Sequence, residues 1–233
     1  MRGFTVAVIG ADGAGKTTVC REVVASLPIP VRYLYMGVNT EASNVMLPTT
    51  RIVRALKRSR GGPPAGGPPD PAREVRPKGT VGRGIHALRA SVSLVLRLAE
   101  EWYRQVLAWS HVLRGRVVLF DRHFFTDYYA HDIVGTSRTE RSLARRIHGY
   151  VLERLYPRPD LVILLDAPAE VLWKRKPEGT FEAVARRREE YLELGAVCRH
   201  FVTVDATQPR AIVLRRVIDL IMSHAAKEES KPA

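Results

Sequence analysis

The sequence predicts an α/β fold, a mostly parallel sheet of five strands with helices on both faces. Three observations predict it. Five short apolar runs of strand length recur along the chain, helix-compatible stretches alternate with them, and three of the runs end on a carboxylate, Asp121, Asp166 and Asp205. Alternating strands and helices give a parallel sheet whose ligands bind beyond the strands' C-terminal ends, which is where those carboxylates fall.

Taken in order, Phe4–Ile9 is a β-branched apolar run closed by Gly10, and Lys16 to Leu27 supplies the helix that follows. Pro28 and Pro30 break the chain before a second strand, Val31 to Met36, ended by Gly37. Arg51 to Arg60 reads as a basic helical stretch. Gly61 to Pro71 then holds four glycines and five prolines in eleven residues, a composition that cannot pack. Residues 61–84 are therefore expected to form a mobile surface loop, too long for an ordinary connection. From Ile85 to Leu113, apolar residues at 85, 88, 92, 96, 99, 102, 106, 109 and 113 recur at three- and four-residue steps, one long helix stopped by Gly115. Val117–Phe120 before Asp121, Leu161–Leu165 before Asp166, and Phe201–Val204 before Asp205 complete the strands. Ala211 to Met222 reads as a closing amphipathic helix and residues 225–233 as a frayed polar tail.

A chain of 233 residues with 45% hydrophobic composition can bury a sizeable core, so one domain spanning 1–233 is expected and a disordered chain is excluded. The formal net charge of +13 attracts polyanions such as nucleotides, nucleic acid or anionic lipid without choosing among them. Two cysteines, Cys20 and Cys198, support neither a disulfide framework nor a four-ligand zinc site, and they fit a reducing, cytoplasmic setting. The apolar run at Phe4 is too short for a signal peptide, and no run of ~18 apolar residues occurs, so no membrane span is expected.

Gly10-Ala11-Asp12-Gly13-Ala14-Gly15-Lys16-Thr17 matches the G-x-x-x-x-G-K-[ST] phosphate loop, between a strand and a helix as that motif requires. The glycines let successive backbone N–H groups converge on a phosphate, and the helix N-terminus adds positive potential. Asp12 to Thr18 are thus expected to hold the donor, with Lys16 on the β and γ phosphates and the Thr17 hydroxyl on magnesium. Asp121 is placed to face the metal, and Arg122 can grip a phosphate bidentately. Asp166 reads equally as a catalytic group or as a cap for the helix beginning near Pro168. Residues 170–191 carry Lys174, Arg175, Lys176, Arg186, Arg187 and Arg188 around a break at Pro177–Thr180, the form of a closing lid, with Arg175 foremost among the cations expected to act. The seven histidines show no metal spacing; His123 stands out because it follows Asp121-Arg122 directly. Phe124, Phe125, Tyr128 and Tyr129 read either as the wall of an acceptor pocket or as a buried helix face.

These residues resemble the thymidylate kinase branch of the nucleoside-monophosphate kinases. The Gly10–Thr18 segment is close to that family's loop, and Asp121-Arg122-His123 is similar to its Asp-Arg-Tyr element. Pro159-Asp160-Leu161 through Asp166-Ala167-Pro168-Ala169-Glu170 and Arg175 resembles its Pro-Asp-Leu strand, glutamate and lid arginine. Coverage is good from Phe4 to Leu27 and from Leu113 onward. In the middle, Met36 to Glu41 stands where the family has an acceptor-binding Arg-Glu-Pro element, and Glu101 and Arg104 are the nearest match to its Asp-Arg pair on the long helix. The resemblance implies a three-layer P-loop NTP hydrolase fold with a short basic lid, ATP and Mg2+ as cofactors, and a homodimer through the long helix.

The expected function is transfer of the γ-phosphoryl of ATP to a small acceptor. Lys16, Asp121, Arg122 and Arg175 are the expected catalytic residues, Thr17 and Asp121 hold magnesium, and Asn39, Glu41, Arg104, Arg122 and His123 contact the acceptor. A nucleoside monophosphate such as dTMP is the first acceptor considered, and a nucleoside, sugar or specialised metabolite the second. If the acceptor is an alcohol, Glu41 or Asp121 is the expected proton acceptor. A nucleotide-dependent switch or nucleic-acid-associated ATPase is a third reading. Because aromatic and basic residues do not interleave as in a stacking platform, no stable nucleic-acid partner is expected.

Overall fold

The computed structural model describes residues 2–37, 45–48, 50, 52, 80–134 and 142–230. The strands are β1 (Phe4–Ile9), β2 (Val31–Tyr35), β3 (Val117–Asp121), β4 (Leu161–Asp166) and β5 (Phe201–Asp205). They form one all-parallel sheet in the order β2-β3-β1-β4-β5. The named helices are α1 (Lys16–Ser26), α2 (Thr80–Val112), α3 (Phe124–Tyr128), α4 (Leu143–Arg154), α5 (Ala169–Arg175), α6 (Phe181–Glu193) and α7 (Arg210–Glu229). A π-helical turn, Tyr129–Val134, follows α3 directly. α1 and α7 pack together against the sheet, α2 packs against its β1–β3 half and against α4, and the result is a three-layer α/β fold.

Burial explains the strand sequences. β1 is central, every residue from Phe4 to Ile9 is buried, and the strand reads apolar throughout because both its faces are covered. The edge strands tolerate polar residues: Arg32 on β2 and Thr203 on β5 are exposed. At the N-terminal end of the sheet, the Asp160 carboxylate accepts from both the backbone N–H and the hydroxyl of Thr5, at 2.8 and 2.7 Å, and ties the start of β4 to β1.

The register positions the site. Val8 of β1 lies opposite Asp121 of β3, and Ile9 lies opposite Leu164 of β4. From β1 the chain runs to β2 and β3 on one side and later to β4 and β5 on the other. The turn at Gly10 therefore sits at the point where the strand order reverses, flanked by the ends of β3 and β4.

The structure moves three boundaries. α2 begins at Thr80, so residues 80–84 are helical rather than part of the loop expected over 61–84, while residues 61–79 lie outside the described residues. Gly82 and Gly84 made that turn read as loop, yet a helix already nucleated over many residues propagates through them at modest cost. α7 runs to Glu229, well past Met222. The four-residue apolar register Val213, Val217, Ile221 continues to a buried Ala225, and His224 packs on Phe4 with ring centroids 5.0 Å apart, so Ala225 to Glu229 are helix and not frayed tail. Third, the segment after Asp121, read only as an aromatic run, forms α3 and the π turn. Phe124, Phe125 and Tyr128 are in the core, which is the buried-face reading of that run.

Candidate active site at the phosphate loop

The loop after β1 is shaped by residues that cannot carry a side chain. Gly13 and Gly15 adopt φ of 89° and 85°, the left-handed region that glycine enters without penalty. A Cβ on Gly13 would stand 2.3 Å from the Leu172 carbonyl of α5, so the loop packs directly on that helix's backbone. A Cβ on Gly15 would meet nothing within 4 Å, which leaves space over the last turn of the loop. Gly15 caps α1 without any side-chain hydrogen bond, and the first turn holds no acidic residue. The first N–H groups of α1 are thus left for an anion.

Lys16 is buried, and its ammonium donates to the Ala11 carbonyl at 2.8 Å, inside the curve of its own loop. Burial, reinforced by the nearby Arg122 charge, pushes the Lys16 pKa down to about 8. Its Nζ lies 3.8 Å from Asp12 Oδ1, and the same oxygen accepts from Arg122 Nη2 at 2.5 Å. Burial alone would raise the Asp12 pKa; Arg122 and Lys16 outweigh it and hold the carboxyl well below the usual carboxylate range.

Arg122 reaches the loop through backbone strain. Its φ of 68° is the one positive value at a non-glycine position among the described residues. The turn lays the side chain along Gly37, where a Cβ would stand 2.5 Å from Arg122 Cδ. Although burial opposes its charge, Asp127, Tyr191 and Asp12 keep Arg122 firmly protonated.

Asp121 ends β3 fully buried. One carboxylate oxygen accepts from the Tyr33 hydroxyl at 2.9 Å, and the other, Oδ1, is buried without a hydrogen-bond partner. An orphaned carboxylate oxygen at a strand end, beside a phosphate loop and the half-buried Thr17, fits a hard divalent cation. Burial and the Asp121 charge together push the Tyr33 phenol upward, so it stays a neutral donor.

Over the loop, α5 and α6 form the hairpin expected at 170–191, separated near Gly179. Arg188 places both arms of its guanidinium on Asp166, at 2.8 and 2.7 Å. Asp166 is therefore an anchor for α6 and not a helix cap, since Pro168 occupies the cap position of α5. Arg187 donates to the Asp127 carbonyl at 2.9 Å and to Glu190 at 3.0 Å. Arg175 donates to the Ala206 carbonyl at 2.8 Å, beyond the end of β5.

The chain is similar to a thymidylate kinase. Over 139 residues it is 28% identical to a protein of Saccharolobus solfataricus named "Probable thymidylate kinase 1", a match that spans 57% of this chain and 69% of that protein. No family model matches.

The structure brings Asp12, Lys16, Asp121 and Arg122 together and places Gly13, Ala14, Gly15, Thr17 and Thr18 on the same turn. It does not bring His123 to them, while Arg104 meets Gly37, the residue along which the Arg122 side chain runs. His123 is buried among Phe120 and Tyr156, with ring centroids 5.3 and 5.7 Å away, and neither ring nitrogen has a hydrogen-bond partner. Burial lowers its pKa to about 3, so it is a neutral packing group. Arg104 is buried on α2, where Nε donates to Glu100 and Nη1 to the carbonyls of Tyr35 and Gly37, while Nη2 lies 2.8 Å from Glu100 Oε1 without a hydrogen bond. Glu100 also accepts from Leu47 N–H and the Thr50 hydroxyl, so the pair fastens the chain after β2 to α2. Asn39 and Glu41 lie outside the described residues.

Two groups escaped the sequence reading. Tyr33 faces Asp121 only because β2 pairs with β3. Asp127, on α3, is 2% exposed and accepts from the Tyr191 hydroxyl at 2.8 Å. Its signal was legible: a lone carboxylate inside the run Phe124-Phe125-Thr126-Asp127-Tyr128-Tyr129 must be buried with the aromatics or exposed against them.

Proposed function

We propose that this protein is an ATP-dependent phosphotransferase that moves the γ-phosphoryl group to a small acceptor, in the manner of a nucleotide kinase. The observation that carries the reading is the buried Lys16 ammonium, held on the Ala11 carbonyl inside a glycine turn whose N–H groups and following helix N-terminus carry no side-chain cap. Few functions other than binding polyphosphate call for a buried lysine in an open-topped anion cradle.

In this reading the loop amides and Lys16 hold the donor's β and γ phosphates. Thr17 and the orphaned oxygen of Asp121 would hold magnesium, which supplies positive charge at the phosphate oxygens during transfer. Tyr33 orients the Asp121 carboxylate by occupying its other oxygen. Arg122, pinned by Asp12, sets a guanidinium at the mouth of the loop, and Arg187 and Arg188 keep α6 over it. Arg175 is poised on the far side of the lid and reaches the phosphates only if it leaves the Ala206 carbonyl. Closure of α5 and α6 excludes water.

The similarity supports a nucleoside monophosphate such as dTMP as acceptor. One observation favours a second acceptor class, a hydroxyl on a nucleoside, sugar or other metabolite: Met36 to Glu41 stands where the thymidylate kinases carry an acceptor-binding Arg-Glu-Pro element. The test is ADP release and product mass with ATP and magnesium against dTMP, thymidine and glucose. The expected outcome is a phosphorylated product from wild type and loss of about 10³-fold or more in turnover for Lys16→Ala. Equal turnover by a folded Lys16→Ala would remove the phosphate-loop reading.

A further inference from the structure

The direction of the Arg122 side chain is set at its stem as well as at its tip. Among the described residues one arm of its guanidinium is hydrogen-bonded, Nη2 to Asp12, which leaves the rest of the fork for a phosphate oxygen. A fork held at one point can still swing unless its methylenes are seated. They are seated on Gly37, where a Cβ would stand 2.5 Å from Arg122 Cδ. The seat and the arginine leave the sheet side by side, because the Met36 N–H donates to the Asp121 carbonyl at 3.0 Å. Arg104 holds this seat from α2. Its Nη1 donates to the Tyr35 carbonyl at 3.1 Å and to the Gly37 carbonyl at 3.3 Å, and so spans the turn by which the chain leaves β2. Arg104 is itself fixed twice: Nε donates to Glu100 at 2.8 Å, and the guanidinium lies over the Phe124 ring, 5.4 Å from its centroid. Phe124 opens α3, two residues past Arg122, so one buried side chain meets the exits of both β2 and β3.

We infer that Arg104 is a positioning residue for Arg122: by holding the Gly37 carbonyl it fixes the floor on which the Arg122 stem lies, and so aims the guanidinium at the phosphate loop. This rests on the phosphotransferase reading above and deepens it, adding a residue that acts on transfer through another side chain. Two changes reach Arg122 by different routes. Lysine at 104 keeps the charge but has no planar fork to hold Glu100 and two carbonyls at once. A methyl group on Gly37 displaces the Arg122 stem and leaves Arg104 intact. The backbone at Gly37 is outside the left-handed region, so alanine there adds a side-chain collision and no backbone strain.

The experiment compares wild type, Gly37→Ala, Arg104→Lys and Arg122→Lys, and combines each of the first two changes with the third. Each protein is read by ADP release with ATP and magnesium against dTMP, thymidine and glucose, by melting temperature, and by NMR of the arginine side-chain N–H groups, where the Arg122 signal is the one missing from Arg122→Lys. Expected is a protected Arg122 signal in wild type that is lost in Gly37→Ala and Arg104→Lys, with kcat about tenfold or more lower in each and KM for ATP changed less than about threefold. In the Arg122→Lys background either change costs less than about a further twofold, since a group that acts through Arg122 has nothing left to position. The Tyr35 hydroxyl would stand 2.6 Å from the same Cβ, so Tyr35→Phe is the control for a shifted ring and is expected to keep the signal. Should Arg104→Lys fail to fold, Glu100→Gln loosens Arg104 with its fork intact and is read by the same criteria. An Arg122 signal and turnover both kept in Gly37→Ala would overturn the inference and leave the phosphotransferase reading standing. So would losses that multiply in the double variants, the mark of a merely structural role. ADP release from wild type no faster than from Lys16→Ala with every acceptor would remove the phosphotransferase reading and this one's catalytic consequence with it.

Discussion

Among single residues, Lys16 links the chemistry to pH most directly. Burial in the loop lowers its pKa to about 8, whereas phosphate oxygens placed on it would stabilise the charged form. Nucleotide binding above that value therefore takes up a proton, and affinity for ATP falls by up to about tenfold per pH unit between the free and bound pKa values. Calorimetry at about pH 9 in two buffers of different ionisation enthalpy should show this uptake, and Lys16→Met should abolish it. A pH-independent affinity from about pH 7 to 9.5 would mean that the ammonium does not meet the nucleotide. For stability the sign is the reverse. A lysine whose folded pKa lies below its ordinary 10.5 costs stability while it is charged, and that cost is lifted as pH rises from about 8 toward 10.5. The loop lysine was legible because its role is set by eight consecutive residues. His123 misled because adjacency to Asp121-Arg122 says nothing about which way a side chain turns. Burial turns it into the aromatic core.

At the level of elements, a buried chain of ionisable groups joins α2, the π turn and α4. His148 on α4 shares its Nδ1 proton with Asp132 at 2.6 Å and its Nε2 proton with Glu101 at 3.0 Å, while Arg145 and His131 flank Asp132, and Tyr128 of α3 lies edge-on to the imidazole at 4.7 Å. Close packing accompanies it, since a Cβ on Gly149 would stand 2.2 Å from the Asp132 carbonyl. Burial alone would lower the His148 pKa, but hydrogen bonds to Asp132 and Glu101 raise it above 6.5, and burial of Asp132 is likewise outweighed by His131 and His148, which hold its carboxyl below 3.8. The His148 contribution is therefore complete below pH 6.5 and lost as pH rises through the raised value, and the Asp132 contribution is present above 3.8 and lost as pH falls through the lowered one. His148→Gln should cost about 3 kcal/mol between those limits, with the gap from wild type narrowing as pH rises above 6.5 in thermal melts. A constant gap at all pH values would show that the imidazole packs there without charge. None of this was legible, because Glu101, Asp132 and His148 are far apart in sequence and show no metal or catalytic spacing. The strands were legible because the central ones are apolar at every position, and the sheet order was not, because hydrophobic runs carry no record of their neighbours.

For the whole molecule, the open question is what covers the outer face of α2. Val92, Ala99, Val106 and Leu113 repeat every seven residues, Val95 and Trp109 lie three residues beyond Val92 and Val106, and all six are exposed, while Trp102 packs inward on Tyr156. Val95 is 64% exposed, Val106 55% and Leu113, just past the helix, 87%. Alternate three- and four-residue spacing of apolar groups on an exposed helix is the pattern of a helix-to-helix seam, and a seam of this kind is self-complementary across a two-fold axis. We propose that it seats on a second copy of the chain. The net charge of +13 on each copy opposes association, and because that repulsion is screened by salt while apolar burial is not, the dimer should gain on the monomer as ionic strength rises. Light scattering coupled to size exclusion is expected to give about twice 26.1 kDa at about 0.3 M salt, a lower average at about 0.02 M, and monomer throughout for Val95→Glu combined with Val106→Glu. A wild-type mass of 26.1 kDa at every salt concentration up to about 100 μM protein would leave the stripe without its partner. Equal masses for wild type and the double variant above monomer weight would place the contact on another face, such as the exposed Leu143, Ile147 and Tyr150 of α4.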